Sequence, residues 1–343
     1  MPTHAQSPSS TVDTRLTALE CWLGTQFRDA AFTLAPASED ASFRRYFRAR
    51  LADGRSYVAM DAPPEKEDCG PFLRVAALLR RAGVHVPEVH AQDRAQGFLL
   101  LSDLGNTTFL AALNETNASE LMGAATDALL RWQLATRPGE LPPYDEVLLR
   151  RELALFPEWY LGRHLGCTLR ASERRALDEV GSLLVRSALA QAQVYVHRDY
   201  MPRNLMLCEP NPGVLDFQDA VIGPITYDIA SLTRDAFLSW DEERVLDWSV
   251  RYWERAKRAG LPVAPDFGEF WRAFEWMGLQ RHLKVLGIFA RLTHRDGKPR
   301  YAADTPRFLR YAGAVAGRYA PLAPLARLLE SLEGKTPRVG HQS

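Results

Sequence analysis

The chain has 343 residues, 46% of them hydrophobic, and 42 Lys+Arg balance 42 Asp+Glu, so it carries no formal net charge. That is ample for a packed two-domain or bilobal protein, and the even charge leaves no basic footprint for nucleic acid and no polybasic surface for an anionic membrane. The four cysteines (Cys21, Cys69, Cys167, Cys208) form no C-x-x-C pair, which argues against zinc and a disulfide framework and fits the reducing cytoplasm. No run reaches the roughly 18 apolar residues of a membrane span. Residues 1–14 are rich in Ser, Thr and Pro and lack a basic and an apolar stretch, so a flexible tail is expected there rather than a signal peptide, and a second tail over 334–343.

In chain order, the spacing of Leu16, Leu19, Trp22 and Leu23 predicts a helix over 14–27. Strands over 42–50 and 55–60 flank a turn at Ala52-Asp53-Gly54-Arg55. An amphipathic helix over 71–82 stops at Gly83, and strands over 89–91 and 98–101 follow. After Asp103-Leu104-Gly105 the pattern turns helical, over 118–136, 144–163, 172–192, 241–259, 267–293 and 305–329, with a strand-rich block at 194–215. The expected fold class is α+β. A small antiparallel β-sheet N-lobe with one crossing helix (15–104) precedes a large, mostly helical C-lobe (105–333), in a bilobal, protein-kinase-like plan.

The strand-rich block carries the chemistry. His197-Arg198-Asp199-Tyr200-Met201-Pro202-Arg203-Asn204 reads H-x-D-x-x-x-x-N between the apolar runs Val194-Tyr195-Val196 and Leu205-Met206-Leu207, and Leu215-Asp216-Phe217-Gln218-Asp219 brings a second aspartate. This is the layout of a phosphoryl-transfer centre. The transferred group is dianionic and the nucleophile is a neutral alcohol. One carboxylate must face the hydroxyl, while an amide and a second carboxylate hold the metal on the phosphates. The competing reading makes these residues turn and strand-end caps.

At these residues the chain resembles the aminoglycoside-phosphotransferase-like small-molecule kinases. Within them it is most similar to the anomeric kinases for N-acetylmuramate and N-acetylglucosamine of peptidoglycan recycling. The closer likeness rests on His197 to Met206, Leu215 to Ala220, Gly223-Pro224-Ile225-Thr226-Tyr227-Asp228-Ile229-Ala230-Ser231-Leu232, and Val58-Ala59-Met60-Asp61-Ala62-Pro63-Pro64. The resemblance implies ATP and Mg²⁺ as cofactors, a small amino sugar as acceptor and phosphorylation at its C1 hydroxyl. It makes Asp199 the catalytic base, Asn204 and Asp216 the metal ligands, His197 a brace and Asp228 an anchor of the loop. The connector Leu101-Ser102-Asp103-Leu104 is expected to meet the adenine edge with main-chain groups.

The chain also departs from the pattern. The strand that ends V-A-x-K in such kinases reads Val58-Ala59-Met60-Asp61, and Ser38 to Tyr46 fills the phosphate-loop slot with no glycine. Ser42, Arg44, Arg45 and Lys66 are the candidates for the phosphate contacts. On the acceptor side, basic and acidic residues balance between 141 and 300, which argues against a pocket for cationic antibiotics. Arg281, Lys284, Arg291 and Arg295 fall near one helical face, either as a basic stripe that suits an anionic sugar or as a solvated face. Gln280 and Arg281 occupy the positions the resemblance gives to acceptor contacts, and Lys284 is a further acceptor candidate from the basic face. Trp159 and Trp276 have the ring for sugar stacking, although tryptophans on amphipathic helices commonly belong to the core. Arg198 is taken as local electrostatics, because too few residues separate Asp216 from Thr226 for an activation segment. Two alternatives stand beside the sugar kinase: an aminoglycoside or other amino-alcohol phosphotransferase, and a nucleotide-binding pseudokinase. A monomer with no nucleic-acid or membrane partner is expected.

Overall fold

A computed structural model describes residues 13–38 and 43–332, and these form two compact units. The first unit runs to Ala76 and resumes over Pro87–Leu104; the second comprises Ala77–Val86 and the chain from Gly105 on.

The first unit opens with α1 (Thr14–Gln26), where the Asp13 side chain accepts the Leu16 N–H at 3.0 Å and so caps the helix. Five strands follow, β1 (Phe32–Ser38), β2 (Arg45–Leu51), β3 (Ser56–Asp61), β4 (Val89–Asp93) and β5 (Phe98–Ser102), with α2 (Cys69–Arg81) between β3 and β4 in the chain. Their order is β1-β2-β3-β5-β4 and every pairing is antiparallel. The β2–β3 turn closes on Gly54, whose φ of 89° suits the residue without a Cβ. Leu19 and Leu23 of α1 bury themselves with Ala59, Phe98 and Leu100. The sequence does not predict β1. Its alternation is diluted by Ala35, Pro36 and Ala37, and Pro36 is tolerated because β1 is an edge strand whose register shifts at that point.

The second unit holds α3 (Phe109–Ala112), α4 (Ala118–Leu134), α5 (Glu146–Leu153), a π-helical segment (Phe156–His164) and α6 (Ala171–Leu189). Then come β6 (Gln193–Val196), β7 (Leu205–Met206), β8 (Gly213–Val214) and β9 (Val221–Pro224), followed by α7 (Tyr227–Thr233), α8 (Glu242–Arg258), α9 (Phe267–His294), α10 (Thr305–Arg318) and α11 (Ala323–Leu332). β6 pairs with β9 and β7 with β8, each antiparallel. α9 is the spine: the π-helical segment, α6, α7 and α10 all pack on it, and its side chains are buried from Phe270 through Ala290 with few breaks.

Two long helices expected from the sequence are broken. The helix over 144–163 is α5 followed by the π-helical segment, because Pro157 has no N–H for the ladder and the turn widens around it. The helix over 305–329 ends at Arg318. Tyr319 is extended, and Pro321 starts a 3₁₀ turn before α11.

Close approach fixes one of these contacts. A Cβ built on Gly287 of α9 would lie 2.4 Å from the main-chain carbonyl carbon of Leu155, at the entry to the π-helical segment. Gly287→Ala is therefore expected to destabilise the protein by about 1–3 kcal/mol through overpacking, read as a lower urea midpoint at unchanged m. An unaltered midpoint would show that the two backbones separate without cost.

Candidate active site

β6 is an apolar strand that runs into the second unit's interior and delivers the chain to His197. There the main chain turns under the control of one carboxylate. Asp228, fully buried in the first turn of α7, accepts the His197 N–H on Oδ2 at 2.7 Å and the Arg198 N–H on Oδ1 at 3.0 Å. Burial pushes its carboxyl up to about 7, against the pull of those two N–H donors. Between these bonds and Asp199, Arg198 adopts a φ of 77°, a conformation a non-glycine residue holds only when its surroundings enforce it.

His197 closes the loop from the other side. Its Nε2 donates to the Leu215 carbonyl at 3.0 Å, and its Nδ1 accepts the Asp199 N–H at 3.3 Å. Burial lowers its pKa to about 4, so the ring is neutral and its single N–H is spent on Leu215. It ties the loop bearing Asp199 to the loop bearing Asp216.

Asn204 joins the same two loops. Its Nδ2 donates to the Asp199 carbonyl at 2.9 Å and reaches Asp216 Oδ2 at 3.4 Å, while the Leu215 N–H donates to the Asn204 carbonyl at 2.9 Å. Asp216 sits at a φ of 60°, and the Gln218 amide donates to its Oδ1 at 2.8 Å. The Asn204 amide thus links the Asp199 main chain and the Asp216 side chain within one unit.

The donor set fits a hard divalent cation. Asn204 spends its NH₂ group inside the cluster and keeps Oδ1 as an acceptor, Asp216 supplies a carboxylate, and the buried Gln218 Oε1 has no hydrogen-bond partner among the described residues. No group of three His, Cys, Asp or Glu suited to a metal occurs among the described residues. One carboxylate and one or two amide oxygens suit a hard cation that takes few protein oxygens and completes its shell with phosphate and water.

Behind the loop lies a buried ionic hub that the sequence does not reveal. Glu152 of α5 accepts Arg198 at 2.5 Å, Lys284 of α9 at 3.0 Å and the Tyr144 hydroxyl, with Gln280 at 3.5 Å. Lys284 also donates to the Tyr227 hydroxyl at 3.1 Å. Burial alone would raise the Glu152 carboxyl. The charges of Lys284 and Arg198 overcome it and hold the group down to about 2. The only hint in the sequence is a carboxylate three positions after the buried Leu149, on the inward face of a short helix.

The expected basic stripe on α9 is corrected by this hub. Gln280, Arg281 and Lys284 are 0%, 2% and 6% exposed, so they form no open face. Gln280 and Lys284 turn to Glu152, and Arg281 lies near the buried Asp228 and Asp235, where its charge opposes the rise that burial imposes on both carboxyls. Arg291 and Arg295 continue the helix toward its end, where Arg295 pairs with Asp296. Trp159 is half-buried, packed on the core with Arg163 over its ring, and Trp276 is a core residue.

The candidates for nucleotide contact lie in the first unit. Asp61, at the strand position where a lysine was expected, is fully buried and receives Arg15 Nε and Arg45 Nε, each at 2.9 Å. Arg45 also pairs with Asp13 and is committed on both sides. Arg44 lies 3.5 Å from Glu67, and the Lys66 ammonium stands 4.6 Å over the exposed Phe43 ring. Leu101 is buried within the sheet, and the Ser102 hydroxyl accepts the Glu88 N–H at 2.8 Å. Asp103 binds Arg48 at 2.7 Å and Ser56 at 2.5 Å, and the chain leaves the sheet there, so Asp103 and Leu104 carry main-chain groups beyond the ladder. Ser42 lies outside the described residues.

The hub has a pH signature. The unfolded chain protonates Glu152 near the usual 4.5, the folded chain only near 2, so its contribution to stability is complete above about pH 4.5 and is lost as the pH falls toward 2. Between about pH 5 and pH 3 the unfolding free energy of wild type is expected to drop by on the order of 2 kcal/mol more than that of Glu152→Gln. Urea titrations at each pH measure this, and parallel pH dependences would contradict it.

The chain is similar to known proteins in sequence and fold. The model of a family described as "Phosphotransferase enzyme family" matches residues 33–264. A protein of Pseudomonas aeruginosa named N-acetylmuramate/N-acetylglucosamine kinase is 56% identical over 330 residues, covering 93% of this chain and 97% of its own. One of the same name from Neisseria meningitidis is 52% identical, covering 92% and 95%. Among solved structures, APH(2")-IIa in a ternary complex with streptomycin and ATP is 13% identical with a TM-score of 0.56, covering 89% of this chain and 97% of that one; the likeness is one of fold.

Proposed function

The chain belongs to the phosphotransferase enzyme family, and from that premise we propose that it is a cytoplasmic, ATP-dependent kinase acting on the anomeric hydroxyl of N-acetylmuramate and N-acetylglucosamine. The observation that carries the acceptor is the name shared by relatives more than half identical over nearly their whole length. The observation that supports the chemistry is the Asn204 amide, which bridges the main-chain carbonyl of Asp199 at 2.9 Å and the carboxylate of Asp216 at 3.4 Å.

In this reading Asp199 orients the C1 hydroxyl and accepts its proton as the sugar oxygen bonds to the γ-phosphorus. The bond from that phosphorus to the bridging oxygen of ADP breaks, and ADP leaves with the electron pair. Asn204 Oδ1 and the Asp216 carboxylate would hold Mg²⁺, whose chemistry there would be to neutralise charge on the phosphate oxygens, and the Gln218 amide fixes the Asp216 carboxylate from outside. His197 is neutral and moves no proton. Of the described residues, Arg44 and Lys66 are the proposed phosphate contacts, and the main chain of Leu101–Leu104 is the proposed contact for the adenine edge. Arg45 drops out of the phosphate set, because Asp61 and Asp13 hold it.

Asp199→Asn is expected to lower kcat by about 10²- to 10⁴-fold with an unchanged melting temperature, followed by coupled ADP release with each sugar. Full turnover by the folded variant would remove Asp199 from the role. Asp216→Ala is expected to abolish the Mg²⁺-dependent part of ATP binding in calorimetry. Undiminished Mg·ATP affinity would count against the metal assignment.

A further inference from the structure

We propose that Glu152 is a positioning residue for phosphoryl transfer: it grips the Arg198 side chain while Asp228 grips the Arg198 main chain, so two buried carboxylates aim Asp199. The proposal rests on the reading of Asp199 as the base.

Arg198 immediately precedes Asp199, and its φ of 77° is a conformation that a non-glycine residue keeps only when its surroundings hold it. Any relaxation of Arg198 therefore swings Asp199. Asp228 alone does not fix it, because its two N–H bonds set only the plane of the preceding peptides, and the peptide that follows is held by the longer 3.3 Å bond from the Asp199 N–H to His197 Nδ1. The side chain adds a constraint on Arg198 itself. Arg198 binds Glu152 at 2.5 Å, reaches the Asp219 carbonyl at 3.4 Å and lies 5.7 Å from the Tyr144 ring centre.

Glu152 is suited to that task because it is itself immobile. Only 5% exposed, it takes donors from Tyr144, which precedes α5, and from Gln280 and Lys284 on α9. Lys284 in turn binds Tyr227, the neighbour of Asp228 at the start of α7. The two carboxylates that hold Arg198 are thus braced against each other through Lys284 and Tyr227. The charge is also specific: one buried anion faces two cations, the buried Lys284 and the half-buried Arg198. A neutral isostere leaves Arg198 and Lys284 without the group that draws them together, and such unpaired buried charge drives side chains toward new positions.

Displacing a reacting group by about 1 Å costs up to roughly 10²-fold in rate. Glu152→Gln and Arg198→Met are each expected to lower kcat by about 10- to 100-fold, with the KM for ATP unchanged within about twofold, because neither residue belongs to the nucleotide contacts proposed above. Arg198→Lys, which keeps a cation for Glu152, is expected to recover part of the loss. Because the two residues act as one device, the Glu152→Gln/Arg198→Met double variant is expected to be no slower than the worse single variant, a double-mutant cycle with coupling close to the full effect. A wild-type kcat in folded Glu152→Gln or Arg198→Met, or defects that multiply in the double variant, would overturn the proposal. If Glu152→Gln does not fold, the comparison of Arg198→Met with Arg198→Lys decides: equal rates overturn it and a faster Lys variant supports it. Asp199→Asn is assayed alongside. An inactive Asp199→Asn with a fully active Glu152→Gln discards the positioning role alone, whereas an active Asp199→Asn discards the base assignment on which it rests.

Discussion

Two main-chain N–H groups on one buried carboxylate organise everything else in the catalytic unit. By taking His197 and Arg198 through Asp228, α7 imposes the turn that puts Asp199 at the end of β6. The cost is a charge in an apolar place, visible in a carboxyl pushed up to about 7. The return is a loop whose orientation is set by the protein before any ligand arrives, which is what a reaction with little covalent chemistry requires of its enzyme. The neutral His197 and the Asn204 amide then lock this loop to the one bearing Asp216.

The same solution recurs: buried charges are arranged so that each carboxylate answers two or more donors. Glu152 holds Arg198 and Lys284 in the second unit. In the first unit Asp61 holds Arg15 and Arg45, so the carboxylate at the strand position that carries lysine in related kinases is a satisfied structural anion rather than a repellent facing phosphate. An isolated buried charge costs several kcal/mol, and pairing turns it into a rigid joint that is costly to break on one side only.

How far the sequence discloses this depends on the range of each interaction. Asp199, Asn204 and Asp216 are legible as candidates because their spacing is local and the proposed chemistry demands those residue types in that order. The strands around them are legible as apolar runs. The edge strand Phe32–Ser38 is not, because Pro36 and its alanines carry no alternation. Nor are the breaks at Pro157 and Pro321 inside patterns whose apolar period continues across them. The basic face of α9 misleads for a related reason: helical spacing shows that Arg281 and Lys284 share a side, but only the tertiary partners Glu152, Asp228 and Asp235 show that this side faces inward. Glu152 is the clearest omission, since its partners come from distant stretches of chain.

Phosphorus NMR of the product tests the whole account in one spectrum. With ATP, Mg²⁺ and N-acetylmuramate, the account predicts a new phosphomonoester resonance coupled to the anomeric proton of the sugar, growing as the γ-phosphate signal of ATP declines. A phosphate on any other hydroxyl, or loss of the γ-phosphate with only inorganic phosphate formed, would contradict it.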